Sequence, residues 1–112
     1  MTIPIRDTAL VTASTASSAE IAIENCQDFG LHRFWITLGT GWAGAADVFI
    51  RGSGNGSNWV DLNTAVNTVG NHVVEVERPF QFLQLEWSGN SGSKSITVRM
   101  EQIYSDPTTP GF

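Results

Sequence analysis

The densest chemical signal in this 112-residue chain is the run Gly52-Ser53-Gly54-Asn55-Gly56, followed by Ser57, Asn58 and Trp59. Glycines let a backbone approach a phosphate closely, and side-chain oxygens beside them can ligate a cation. Each of those chemistries has further requirements, and this run lacks them. A dinucleotide-binding turn needs a third glycine where Ser57 stands and a helix behind it, whereas Asn58-Trp59-Val60 has the composition of a strand. A phosphate loop needs lysine followed by Ser or Thr after its last glycine, and neither pair follows Gly56. A calcium loop needs several oxygens at close spacing, with charge to offset dehydration. Asp47 and Asp61 flank the run, but they are fourteen residues apart with no carboxylate between them. The run reads instead as a β-hairpin corner, with Gly and Asn where the backbone needs positive φ. No metal and no cofactor are expected.

The other reactive side chains do not assemble a reaction centre. His32 and His72 each sit in a strand beside hydrophobic residues and read as structural histidines. Glu75 and Glu77 share one strand face, which suits a solvated outer surface or a partner contact better than an acid–base pair. Cys26, between Asn25 and Gln27, has no motif around it and reads as a small buried or edge residue. No catalytic residue is assigned, and the chain reads as a protein that is not an enzyme. Trp42 and Trp59 remain, with Asn55 and Asn58 as polar partners, as candidates for stacking on a sugar face. The competing reading packs Trp59 under its own corner and has Trp42 plug one end of the fold.

Short strands must position all of these residues. Alternation marks segments 8–13, 20–25, 32–39, 45–51, 59–62, 72–77, 80–87 and 95–104, with turn residues between them. Ile21 and Ile23 share a face; so do Phe34, Ile36 and Leu38, with His32, Trp35 and Thr37 near or on the other side. Val74 and Val76, then Leu83, Leu85 and Trp87, then Ile96, Val98 and Met100 complete the inward rows. No segment has a helical period and there is no internal repeat. About eight short strands at this spacing predict an all-β fold: an antiparallel β-sandwich or jelly roll occupying residues 8–104. Outside it, residues 1–7 (with Pro4) and 105–112 (with Pro107 and Pro110) read as extended arms. Ile3, Ile5 and Phe112 are their apolar residues, suited to anchoring on a neighbouring subunit or adding a strand to it.

Composition narrows the function classes. The chain is 41% hydrophobic with eleven aromatics, enough for one continuous core, yet only 15% charged. Ten Ser, eleven Thr, seven Asn and eleven Gly supply its polarity, a strand-and-turn mixture. A formal charge of −5 and six scattered cations argue against nucleic acid as a partner. One cysteine excludes an internal disulfide framework and a multi-cysteine zinc site. No run approaches the ~18 apolar residues of a membrane helix, and the N-terminus lacks the apolar stretch of a signal peptide, so synthesis and folding in the cytoplasm are expected.

Residues 45–103 carry two resemblances. Gly52-Ser53, Gly56, Trp59 and Gly70-Asn71, with the strands Phe80–Leu85 and Ile96–Glu101, resemble the discoidin-like galactose-binding jelly roll. That family usually has Asp where Asn55 stands and two arginines where Gln81 and Gln84 stand, with a flanking cysteine pair absent here. The corner Gly52-Ser53 to Gly56 with Asn58-Trp59, the chain length and the two Pro-bearing arms are also similar to small virion proteins of tailed phages. This second resemblance implies a capsid decoration (cement) protein located in the virion. Its partners would be the major capsid protein or other virion subunits, and it would form a homo-oligomer, a trimer above all. The first resemblance implies a glycan-binding module, or a tail or fibre part for host attachment, as the alternative.

Overall fold

The computed structural model describes residues 5–42, 46–77, 80–90 and 94–103. Its strands are β1 (Ile5–Ser14), β2 (Ala19–Ile23), β3 (Leu31–Leu38), β4 (Asp47–Ser53), β5 (Val60–Asp61), β6 (Gly70–Val76), β7 (Phe82–Ser88) and β8 (Ile96–Ile103). A 3-10 turn, Cys26–Asp28, links β2 to β3. One four-stranded sheet has the order β1-β8-β3-β6 and the other β2-β7-β4-β5. All the strand pairings are antiparallel. This is the jelly-roll form of the β-sandwich, as the strand count and spacing predict.

Period-two alternation builds the core. β3 pairs with β8 on one side and β6 on the other, so Phe34 stands between Met100 and Val74. Phe34, Ile36 and Leu38 are buried, as are Val74, Val76, Leu83, Leu85, Trp87, Ile96, Val98 and Met100. His32 departs from the expectation that it lies near or on the opposite face. It is an even-numbered residue on the Phe34–Ile36–Leu38 side, and it is fully buried. Its strand parity decides its environment, and its polarity has to be met by a neighbour.

The N-terminal boundary also shifts. Residues 1–7 were expected as an arm, but Ile5, Arg6 and Asp7 lie opposite Ile103, Gln102 and Glu101 as the first rungs of β1. Pairing with β8 gives their backbone groups partners that a free arm would have to find in water. Residues 1–4 and 104–112 lie outside the described residues, as do the expected anchors Ile3 and Phe112, the tail 105–112 and the side chain of Ile5. Register shifts between Ala9 and Val11 and between Val11 and Ser14 break the regularity of this edge strand. Bulges of this kind discourage an exposed edge from recruiting further strands. The free edge of β4 is managed differently. Beyond β5, Asn63 Oδ1 accepts from Ile50 N–H at 2.7 Å while its Nδ2 donates to Val48 O at 3.3 Å. One side chain thus stands in for a rung of backbone ladder.

Candidate interaction surfaces

The corner after β4 is closed on itself. Ser53 is buried, and its Oγ accepts from the backbone N–H groups of Asn55 at 3.2 Å and Gly56 at 2.9 Å. Asn55 Oδ1 accepts from Ser57 N–H at 2.8 Å and Asn58 N–H at 2.9 Å, and also from Ser53 Oγ–H at 3.1 Å. Gly56 takes φ +79°, a left-handed conformation that favours glycine. The N–H groups that a bound anion would need are therefore spent within four residues of their origin. Asn55 and Asn58 are exposed, and Trp59 is half-buried at the start of the return. The two asparagines and Trp59 share one corner, as their spacing suggests.

Trp42 is not part of that group. It is 0% exposed, and its indole N–H donates to Ala46 O at 3.0 Å. A buried ring cannot stack on a sugar, so the packing reading of Trp42 is the correct one. Burying so large a side chain takes its apolar surface out of water, which favours the packed position.

Trp35 is 37% exposed, on the outer face of the first sheet. It lies opposite Val73, itself 49% exposed, and opposite Arg99 on its other side. Its indole N–H donates to Glu101 Oε1 at 2.8 Å, and Arg99 Cζ sits 5.7 Å from the ring centroid. Ion pairs surround this apolar centre. Arg33 reaches Glu75 at 2.7 Å and Glu101 at 3.2 Å, and Arg99 reaches Asp7 at 2.9 Å. The Trp35 indole N–H, and then the Arg33 guanidinium, hold the Glu101 carboxyl below the usual carboxylate range. Hydrogen bonds to Glu75 and Glu101 raise Arg33 above its own ordinary value. Sequence alternation put Trp35 opposite the core row, but nothing local showed that Val73 and three ion pairs would gather round it.

Glu75 is thus an ion-pair partner in that rim. Glu77 follows β6 at the surface and shares with Glu75, Leu62, Val76 and Phe80 a hollow of about 210 Å³. Glu86 belongs to the other sheet. It is buried on β7, 3.5 Å from Arg51 Nη2, and lies opposite Glu20 on β2. Ser18, Ala19, Glu20, Glu86, Trp87 and Ser88 line a shallow hollow of about 470 Å³ there. Among the described residues no three His, Cys, Asp or Glu side chains gather closely enough to hold a metal ion. No helix in the described residues is long and apolar enough to cross a membrane.

No family model and no curated protein sequence matches the chain. Among solved structures it is similar to a protein of the Bacillus endospore appendages, described as forming a novel family of disulfide-linked pili. The TM-score is 0.56 at 18% identity, over 93% of this chain and 90% of that one. The likeness is one of fold.

Proposed function

We propose that this chain is a non-catalytic structural subunit that works as one of many copies in an assembled particle. In its finer form, it is a decoration (cement) protein of a tailed-phage virion, bridging major-capsid subunits and itself a homo-oligomer, with a trimer as the expected state. The observation that carries the reading is the outer face of the first sheet. Trp35 and Val73 expose an apolar centre, and Arg33, Glu75, Arg99, Glu101 and Asp7 form a charged rim. An apolar anchor within a polar rim is the composition of a protein–protein contact. The corner supports a ligand less well, since Trp42 is buried and Asn55 Oδ1 is occupied by its own loop. A glycan-binding role would have to rest on Trp59, Asn58 and the outer face of Asn55.

A second reading, a fibre subunit, is favoured by the likeness to a pilus protein. That protein is described as disulfide-linked, whereas Cys26, the one cysteine of this chain, is buried. Copies of this chain joined in a fibre would therefore be held by non-covalent contacts.

The test is co-sedimentation of the purified chain with intact capsids, paired with negative-stain imaging of the chain alone. Capsid binding that Trp35→Ala weakens at least tenfold supports the decoration reading. Filaments without capsids support the fibre reading. A protein that stays monomeric and sediments with nothing removes both. Deleting residues 1–4 or 105–112 in the same assay reports whether Ile3 or Phe112 anchors a partner.

A further inference from the structure

Where β2 turns through the 3-10 turn into β3, a buried hydrogen-bond relay fits only one protonation state. His32 is 0% exposed and Gln102 is 1% exposed, although they are 70 residues apart in sequence. Gln102 Nε2 donates to the Glu24 carbonyl at 3.0 Å and lies 3.2 Å from His32 Nε2. A carbonyl can only accept, so Glu24 O orients the Gln102 amide with its NH₂ group inward. The second N–H of that group then points at His32 Nε2, which has to accept it. The imidazole is therefore neutral, with its proton on Nδ1. Among the described residues Nδ1 has no hydrogen-bond partner, and Phe29 lies edge-on to the ring at 6.2 Å with Phe34 stacked at 6.3 Å.

An imidazolium cannot be accommodated in this arrangement. Its Nε2–H would face the Gln102 NH₂, donor against donor. Turning the amide over would bring Gln102 Oε1 to the imidazolium but also to Glu24 O, acceptor against acceptor. Among the described residues no neighbouring charge compensates: Arg6, opposite Gln102 on β1, is exposed and carries the same sign as an imidazolium. Opposite His32 stand Val76 on β6 and Gln102 on β8. The side chains of Glu24, Asp28 and Glu77 are exposed, and Arg33, Glu75 and Glu101 occupy the alternate, outward positions of their strands. The nearby Cys26 thiol is turned to Phe80 O at 3.3 Å and Gln81 O at 3.4 Å.

We infer that this joint is an acid-sensitive latch: protonation of His32 breaks the Gln102 relay, releases the segment 24–28 from β8 and uncovers the Cys26 thiol. The latch holds segment 24–28 through Glu24 O, two residues before Cys26, which is itself 1% exposed. Burial lowers the His32 pKa from 6.5 to about 4. Above 6.5 both closed and open forms are neutral at this ring, and the latch is insensitive to pH. Between 6.5 and 4 the open form takes up a proton that the closed form refuses, so the opening equilibrium rises as pH falls. The linkage gives roughly 30-fold at pH 5 and approaches roughly 300-fold below pH 4.

Cys26 labelling by 4,4′-dithiodipyridine, which reports thiols in acid, tests this between pH 7.5 and 4.5. Rates are normalised to those of the urea-unfolded chain at each pH. The expected result is a rise of about 30-fold by pH 5 with the far-UV circular dichroism unchanged, abolished in His32→Phe and retained in His72→Gln. Nitrogen-15 imidazole spectra of the unmodified protein at neutral pH should show the Nδ1–H tautomer of His32, a readout independent of whether the variant folds. An Nε2–H tautomer, a flat labelling profile, a rise that survives in His32→Phe, or loss of the dichroism signal in step with labelling would each overturn the latch.

Discussion

Two polar clusters of this protein, the corner at residues 53–58 and the joint of Glu24, His32 and Gln102, are both networks of side chains hydrogen-bonded at a chain reversal. They differ in reach and in completeness. In the corner, Ser53 and Asn55 meet backbone N–H groups two or three residues away, and both side-chain oxygens are used more than once. In the joint, Gln102 spans 78 residues to reach Glu24 O, and His32 Nδ1 is left without a partner. The corner holds no titratable group and sits at the surface, where water can replace a lost bond. The joint is buried and contains a base. Local polar networks of this sort shape a turn, while long-range buried ones tie elements together under a condition on protonation.

The contrast can be broken most forcefully at Gln102. Gln102→Ala removes the donor to His32 Nε2 and the side-chain donor to Glu24 O, and leaves a cavity. A loss of about 3–4 kcal/mol is expected in urea unfolding at neutral pH. A loss below about 1 kcal/mol would mean the joint is no more demanding than a surface turn. Next in size is the acid response. His32 has a folded-state pKa of about 4 against 6.5 unfolded, so its contribution is intact above 6.5 and is lost as pH falls through 4. That window corresponds to about 3 kcal/mol, measured as the difference in acid sensitivity between the unmodified protein and His32→Phe. The smallest effect sharpens the other side of the comparison. Ser53→Ala should cost about 1–2 kcal/mol, because the N–H groups of Asn55 and Gly56 can turn to water. Its cost should be the same at pH 5 and pH 7.5; a pH-dependent cost would show that the corner is coupled to a titrating group.

What the residues reveal in order along the chain follows the same division. The strands were legible because alternation is a two-residue signal, and rows such as Phe34-Ile36-Leu38 or Ile96-Val98-Met100 carry it without help. The corner was legible too, because its glycines and asparagines act on their own neighbours. Trp42 was ambiguous, since a tryptophan beside glycines has the same local pattern whether it plugs the fold or faces solvent. His32 misleads because its polarity suggests the outer face, while its parity belongs to the core row. The Trp35 face was half legible: its outward direction follows from alternation, but Val73, Arg99 and Glu101 arrive from β6 and β8.

The amino-acid sequence by itself determined the strand segments, the polarity of their faces and the closed corner, because these depend on interactions within a few residues. Only the tertiary structure decided that Asp7 joins a ladder instead of an arm, that Trp42 is buried, and that Gln102 lies between Glu24 and His32. Those outcomes depend on strand order and register, the order β1-β8-β3-β6 above all, which brings together residues separated by most of the chain.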